Sequence, residues 1–372
     1  MRSITLPAII APIGISYYTF QAIGYIINVY RKIEPAERHF GYFAIYTLFF
    51  PKFLSGPIER SNQFLPQIHK GVKFNQTDLK EGFLLIFWGL FKKLVIAERL
   101  SPFINDVYLN LQDHSGISLI STLILQPIYI YCDFSGYTDI ALGIARIFGL
   151  RLTDNFQRPF FATTVSVFWR RWHISLTSWC NDYIFKHVIL KRKRWGTLAS
   201  TYGVFLAFFI IGIWHGPRWN FIILGILQGI AINYEFYSRK FRLQIASKIP
   251  DLVTINLSRL ITILFFSFSL IFFFAASFNE SLYFLKNLGK IESFSPFGSY
   301  GGYYNNPHDF LIAIFAFFVV FVVDFLHEYN FHFRHYFIGK KTWIRWTMYY
   351  LLVFIVLIFG RFAAANVIYF QF

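Results

Sequence analysis

The chain alternates long apolar runs with short polar breaks. Runs at 9–29, 82–99, 117–150, 197–216, 218–237, 258–278, 309–327 and 343–365 approach or exceed the roughly 20 residues that a helix needs to cross a hydrocarbon core. A shorter run, 41–55, contains Pro51 and meets the break Ser55-Gly56-Pro57. It is too short to cross comfortably and reads as re-entrant. The run 117–150 is long for one span. Its Asp133-Phe134-Ser135-Gly136 stretch predicts a helix interrupted at membrane depth, where irregular backbone is tolerated only against protein or a water-filled cavity. The pattern predicts an all-α polytopic membrane protein, one domain over 1–372, with room for roughly eight to ten transmembrane or re-entrant helices.

Composition agrees. Of 372 residues 56% are hydrophobic and only 15% charged, against about a quarter charged in soluble domains. Aromatics reach 22%, with 49 Phe, an excess suited to lipid-facing surfaces and interfacial belts. The formal charge of +16 would suggest nucleic acid in a soluble protein. Here the basic residues cluster between apolar runs, as cytoplasmic loops do, so no nucleic acid is expected and the bilayer is the expected partner. Arg31, Lys32 and Arg38; Lys186, Lys191, Arg192, Lys193 and Arg194; Arg239, Lys240, Arg242 and Lys248; and Arg334, Lys340, Lys341 and Arg345 are placed in the cytoplasm. The stretch 103–116 lacks Lys and Arg, 279–308 nearly so, and both are placed outside. Cys132 and Cys180 form no disulfide framework or metal-ligand spacing. No metal site, P-loop, dinucleotide motif or nucleophile elbow is read. The N-terminus shows no clean cleavage site, so no removable signal peptide is expected.

Three stretches could carry chemistry. In Ile213-Trp214-His215-Gly216 a histidine ends an apolar run that has no charge from Tyr202 to Ile213. Ionisable groups at membrane depth are expensive and usually functional, and imidazole is the natural proton carrier near neutrality. Position alone fits a hydrogen-bonded interfacial histidine equally well. Gly212 and Gly216 permit close backbone approach. In Phe168-Trp169-Arg170-Arg171-Trp172-His173-Ile174-Ser175-Leu176, helical spacing predicts Trp169, Trp172, His173 and Leu176 on one face, with Arg170 off it. An interfacial amphipathic helix accounts for the Trp and Arg but not for the histidine. In the third, Asp133, Ser135, Tyr137 and Asp139 imply a polar cavity or a structural polar network. Asp139 and Arg146 share a helical face and would bridge only through a third group. Lys92, Lys93, Glu98 and Arg99 read as snorkelling or mutually paired.

Together these segments resemble the membrane-bound O-acyltransferase superfamily, and within it the branch of the bacterial alginate O-acetyltransferase membrane subunits. The matching stretches are Pro12 to Gln21, Phe50 to Ile58, Asp133 to Leu150, Phe168 to Leu176, Ile213 to Gly216 and the tail Ile368 to Phe372. The resemblance covers nearly the whole chain in one order. It implies a ring of helices around a central tunnel with two key histidines, at His215 and His173. It also implies multi-pass insertion in the bacterial inner membrane. A cytoplasmic acyl thioester such as acetyl-CoA would be the donor substrate, with no bound cofactor. A hydroxyl acceptor would receive the acyl group, and a separate periplasmic acetyltransferase would pass it to a polysaccharide. His215 is then expected as general base, and His173 to orient substrate, relay a proton or hold the acyl group. Trp214, Asp133, Ser135, Tyr137, Asp139, Trp169, Arg170 and Trp172 are expected to line the tunnel, and Trp214, Ser135 or Tyr137 to face the oxyanion. The basic stretch Lys186 to Arg194 would attract an anionic donor or only fix topology.

Two departures stand out. Members of the superfamily usually carry further spans ahead of the Pro12 segment, which are expected to be absent here. After Asp182-Tyr183 the usual Pro-Leu-Gly-Gly is replaced by Ile184 to Leu190. A transporter or channel without covalent chemistry, or a scaffold for a periplasmic enzyme, are the competing classes. Thioester cleavage by purified protein separates them.

Overall fold

The computed structural model describes residues 14–290, 307–331 and 340–362. Among the described residues sixteen α-helices follow one another: α1 Ile15–Tyr30, α2 Phe40–Leu48, α3 Ser61–His69, α4 Gln76–Leu90, α5 Glu98–Leu109, α6 Ile117–Ile147, α7 Val165–Arg171, α8 Ile174–Cys180, α9 Lys186–Lys191, α10 Thr197–His215, α11 Trp219–Tyr237, α12 Arg239–Ala246, α13 Asp251–Phe274, α14 Phe278–Asn287, α15 Pro307–Glu328 and α16 Thr342–Phe359. A π-helical stretch, Phe91–Ala97, joins α4 to α5. No strand longer than an isolated bridge occurs among the described residues. Among the described residues five helices, α6, α10, α13, α15 and α16, are long and apolar enough to cross a membrane, and α11 with α12, bent by 65°, makes a sixth if the pair is taken as one span. The tail Ile368 to Phe372, most of 291–308 and the first part of the Pro12 segment lie outside the described residues.

The expected break at 133–136 is absent, because α6 runs unbroken through Asp133-Phe134-Ser135-Gly136. The polar groups find partners without leaving the helix. Lys93 donates to Asp133 at 2.5 Å and Lys92 to Ser135 at 2.8 Å, both from the π-helical stretch. The glycine serves packing. Gly82 and Gly89 on α4 face Gly143 and Gly136 on α6, and an added Cβ at any of the four would lie within 2.4–2.8 Å of the opposing glycine's carbonyl oxygen. Small residues seven apart on both helices thus let two backbones touch. Gly136→Ala is therefore expected to destabilise the chain by about 1–3 kcal/mol through overpacking. A lower thermal midpoint in detergent would show it, and an unchanged midpoint would disprove the seam.

Other boundaries moved for local reasons. The run 41–55 is indeed too short for a span: α2 stops at Leu48, and a single 3₁₀ turn, Phe50–Lys52, follows. The α13 helix starts seven residues before 258 and ends at Phe274. Ser277 then caps α14, its side chain accepting from the Glu280 N–H at 3.2 Å. The run 343–365 yields a helix that ends at Phe359 before Gly360. Asp139 and Arg146 do not bridge. Asp139 pairs with Lys92 at 2.7 Å, while Arg146 reaches Asp78 at 3.2 Å and Glu81 at 2.6 Å on α4. Lys93 and Glu98 pair at 3.2 Å, and Lys92 and Arg99 are buried, not snorkelling.

Candidate active site

The α10 helix ends at His215 because Gly216 follows with φ +149°, a conformation that side chains rarely adopt. A Cβ there would press on the Phe221 ring at 2.9 Å, and one at Gly212 would meet the Phe221 carbonyl oxygen at 2.3 Å. Glycine at both positions lets α11 fold back tightly on α10. The hairpin seats the His215 ring among aromatics, with centroids 4.7 Å from Trp214, 5.3 Å from Phe273 and 5.9 Å from Phe221.

His173 is placed by a different device. Trp169, Trp172, His173 and Leu176 do not share one helical face, because the helix breaks between them. Trp172 is extended and His173 is left-handed, with φ +45° and ψ +50°, before α8 starts at Ile174. Backbone pairing with an earlier loop forces the break. The Gln157 N–H donates to the Arg171 carbonyl at 2.9 Å and the Ile174 N–H to the Asn155 carbonyl at 3.0 Å. Non-glycine residues in this conformation cost about 1–3 kcal/mol and persist where the surroundings over-determine them. Glu59 is part of those surroundings: its carboxylate accepts from the Thr153 N–H at 2.6 Å and the Thr153 hydroxyl at 3.1 Å. Burial pushes the Glu59 carboxyl up, against the opposing pull of Lys52.

One helix braces both histidines. On α11, Gln228 accepts from the Trp169 indole at 3.0 Å. Glu235, seven residues on, caps the start of α7, accepting from the N–H groups of Val165 and Ser166 and from the Ser166 hydroxyl. An anion at a helix N-terminus satisfies donors that have no intrahelical partner. Phe221, which packs on His215, belongs to the same helix.

The two histidines converge on Trp214, whose ring centre lies 6.0 Å from His173 and 4.7 Å from His215. Burial disfavours a charge on His173, and a charge on His215 would add to that. Tyr17 and Phe20 of α1 pack on Trp214 at 5.7 Å each, and Phe134 packs edge-on to His173 at 4.8 Å. His173 and His215 are buried, at 2% and 8% exposure. The His173 Nδ1 is 3.2 Å from Asn155 Oδ1, while His173 Nε2 has no hydrogen-bond partner among the described residues.

Only part of the predicted tunnel lining gathers here. Trp214 is central. Trp169 and Trp172 pack beneath the site, Trp172 against Phe156 at 5.0 Å and Phe168 at 5.5 Å. Arg170 points away and is exposed, donating to the Ser166 carbonyl. Asp133, Ser135 and Asp139 belong to the lysine network on α6, and the Tyr137 hydroxyl donates to the Pro51 carbonyl at 3.2 Å. A cavity of about 980 Å³ lies between α4, α6, α15 and α16. Its polar lining includes Lys92, Tyr131, Asp139, Asp154, Arg158 and Asp324, and Asp139 is the one predicted residue that borders it. Neither histidine does: the rings of Phe156 and Phe134, 4.9 Å apart, separate the cavity from His173.

Sequence reasoning missed Asn155, Phe134, Gln228 and Glu235. Asn155 lies in a loop with no periodicity, and the two α11 residues gain meaning only once α7 is seen beside them. Lys52 was likewise hidden. It is fully buried, donating to Gln21 Oε1 and to the Tyr46 carbonyl, and ties the Phe50 to Ile58 segment to α1.

Comparison with known proteins places these residues in context. The family model described as MBOAT, membrane-bound O-acyltransferase family, matches residues 34–285. The chain is 36% identical over 245 residues to the probable alginate O-acetylase AlgI of Azotobacter vinelandii, covering 64% of this chain and 47% of that protein. It is 30% identical over 310 residues to the peptidoglycan O-acetyltransferase of Helicobacter pylori, covering 75% and 57%. It is also 30% identical over 242 residues to the teichoic acid D-alanyltransferase of Bacillus subtilis, covering 62% and 60%. The chain spans about half the length of the curated relatives it matches.

Proposed function

We propose that this chain, which belongs to the membrane-bound O-acyltransferase family, transfers an acyl group, preferentially acetyl, from a thioester to a hydroxyl. The observation that carries the reading is the convergence of His173 and His215, 42 residues apart in sequence, on the single indole of Trp214. His215 acts as general base on the acceptor hydroxyl as that oxygen attacks the thioester carbonyl, a role worth typically 10²–10⁴-fold. His173 is its partner in handling the proton. Tyr17, Trp214 and Phe134 pack around the ring of His173, and water-poor aromatic walls strengthen any donor aimed at the developing oxyanion.

The donor, on this reading, is a cytoplasmic thioester such as acetyl-CoA, and it needs no resident cofactor. The exposed basic segment Lys186 to Arg194 supplies positive charge at that side. The positive-inside rule gives the orientation, and the bacterial relatives support a location in the inner membrane. The matched relatives act on alginate, peptidoglycan and teichoic acid, so the final acceptor is an extracytoplasmic polysaccharide or cell-wall polymer, reached through a periplasmic acetyltransferase. On this reading the helices of the chain contribute to a ring around the transfer path.

The test uses purified protein in lipid nanodiscs with radiolabelled acetyl-CoA and a soluble glycan hydroxyl acceptor. Labelled ester on the acceptor, with release of free thiol, is the expected result. Passage of intact solute without thioester cleavage would instead identify a transporter.

A further inference from the structure

We infer that Asn155 is a positioning residue that holds His173 with its proton on Nδ1, so that Nε2 is the bare nitrogen that accepts the proton moved during transfer. This rests on the acyl-transfer reading above, but its first test does not.

The assignment follows from donors that have no choice. Asn155 Oδ1 accepts from the Ser175 backbone N–H at 3.1 Å and lies 2.9 Å from the Ser175 hydroxyl. A backbone N–H can only donate, so the atom facing it is the amide oxygen, not the amide nitrogen. The same oxygen lies 3.2 Å from His173 Nδ1. An amide oxygen only accepts, so Nδ1 must carry hydrogen. In a neutral imidazole one ring nitrogen donates and the other accepts. Nε2 is therefore a lone pair. It is buried and has no hydrogen-bond partner among the described residues. A buried acceptor left bare costs about 1–3 kcal/mol, so the site is built for a group that donates to it.

The surroundings restrict the ring. The N–H of the next residue, Ile174, pairs with the Asn155 carbonyl, Tyr17 stacks on the ring, and Trp214 and Phe134 meet it edge-on. Asn155 thus sets both the backbone and the tautomer of one residue. Its own side-chain Nδ2 is buried and has no partner among the described residues.

The proton path then balances. The acceptor O–H bond breaks and its proton goes to His215. The new carbon–oxygen bond forms, the carbon–sulfur bond breaks, and the electron pair leaves on sulfur. The proton passes from His215 through a bridging hydroxyl of bound acceptor or water to Nε2 of His173, which delivers it to the thiolate, and that departs as a thiol. Both histidines end neutral, as they began.

Solid-state ¹⁵N spectroscopy of histidine-labelled protein in bilayers tests the tautomer directly, with His173 assigned by the signal lost in His173→Gln. The expected wild-type signal is a protonated Nδ1 and a bare Nε2. Asn155→Ala should redistribute the proton between the nitrogens, and a proton on Nε2 in the wild type would overturn the inference. In the transfer assay Asn155→Ala should lose about 100-fold in kcat with little change in KM. Asn155→Asp restores the accepting oxygen and should recover most of that loss. Its carboxylate favours the imidazolium, so the acidic limb of the pH–rate profile should move up by about one unit. An Asn155→Asp enzyme as inactive as the alanine variant, or with an unshifted limb, would count against the inference. A correct tautomer in a wild type without transferase activity would reject the acyl-transfer reading alone.

Discussion

His215→Ala is expected to lower acyl transfer by about 10²–10⁴-fold, the range that a lost general base commands, while leaving the helical hairpin intact. The hairpin does not depend on the imidazole. It is set by Gly212 and Gly216 against Phe221, and by Gly225 against the Phe208 carbonyl, where a Cβ would come within 2.3 Å. The alanine does remove a ring packed between Trp214, Phe221 and Phe273, and truncating a buried aromatic costs about 3–5 kcal/mol. His215→Gln retains most of the volume without the titrating nitrogen and separates the two effects. Both variants should elute as monodisperse protein from size-exclusion chromatography with kcat reduced alike. Full activity in the glutamine variant would remove His215 from the mechanism.

The contrast between the two histidines shows what a sequence carries. His215 stands out as a candidate because the information is local: a titratable residue after twelve uncharged positions, followed by a glycine that stops the helix. His173 was legible by type but not by conformation. Nothing in Trp169-Arg170-Arg171-Trp172-His173 marks a break, because the break is imposed by residues 155–157 pairing from outside. The same rule explains α6. Asp133, Ser135 and Gly136 have the composition of an interrupted helix, and only the lysines of the π-helical stretch and the facing Gly89 turn them into a continuous one. Apolar spans are written in hydropathy, whereas the partners of buried polar groups are written in tertiary structure. Asn155 is the extreme case, a residue with no sequence signal that fixes the chemistry of a neighbour 18 positions away.

That dependence on partners makes Lys93 the position where a single change should do most damage to the fold. Its ammonium is shared between Asp133 at 2.5 Å and Glu98 at 3.2 Å, whose side chains are 4% and 6% exposed. Lys93→Met fits the volume but leaves two carboxylates facing each other in a buried setting. Breaking one buried pair by removing a partner costs about 3–5 kcal/mol, because the remaining charge is uncompensated, and here two are stranded. The expected outcome is loss of folded protein from the membrane fraction. The triple variant Lys93→Met, Asp133→Asn, Glu98→Gln removes the charges together and should recover folding, as replacement of whole buried ion pairs by neutral groups is often neutral or stabilising. Recovery of folding need not restore activity. Asp133 neighbours Phe134, whose ring closes against His173, so the lysine network also sets one wall of the site. Thermal midpoints of the single and triple variants decide the matter. If Lys93→Met is as stable as the wild type, charge pairing does not hold α6 straight, and the glycine seam alone must do so.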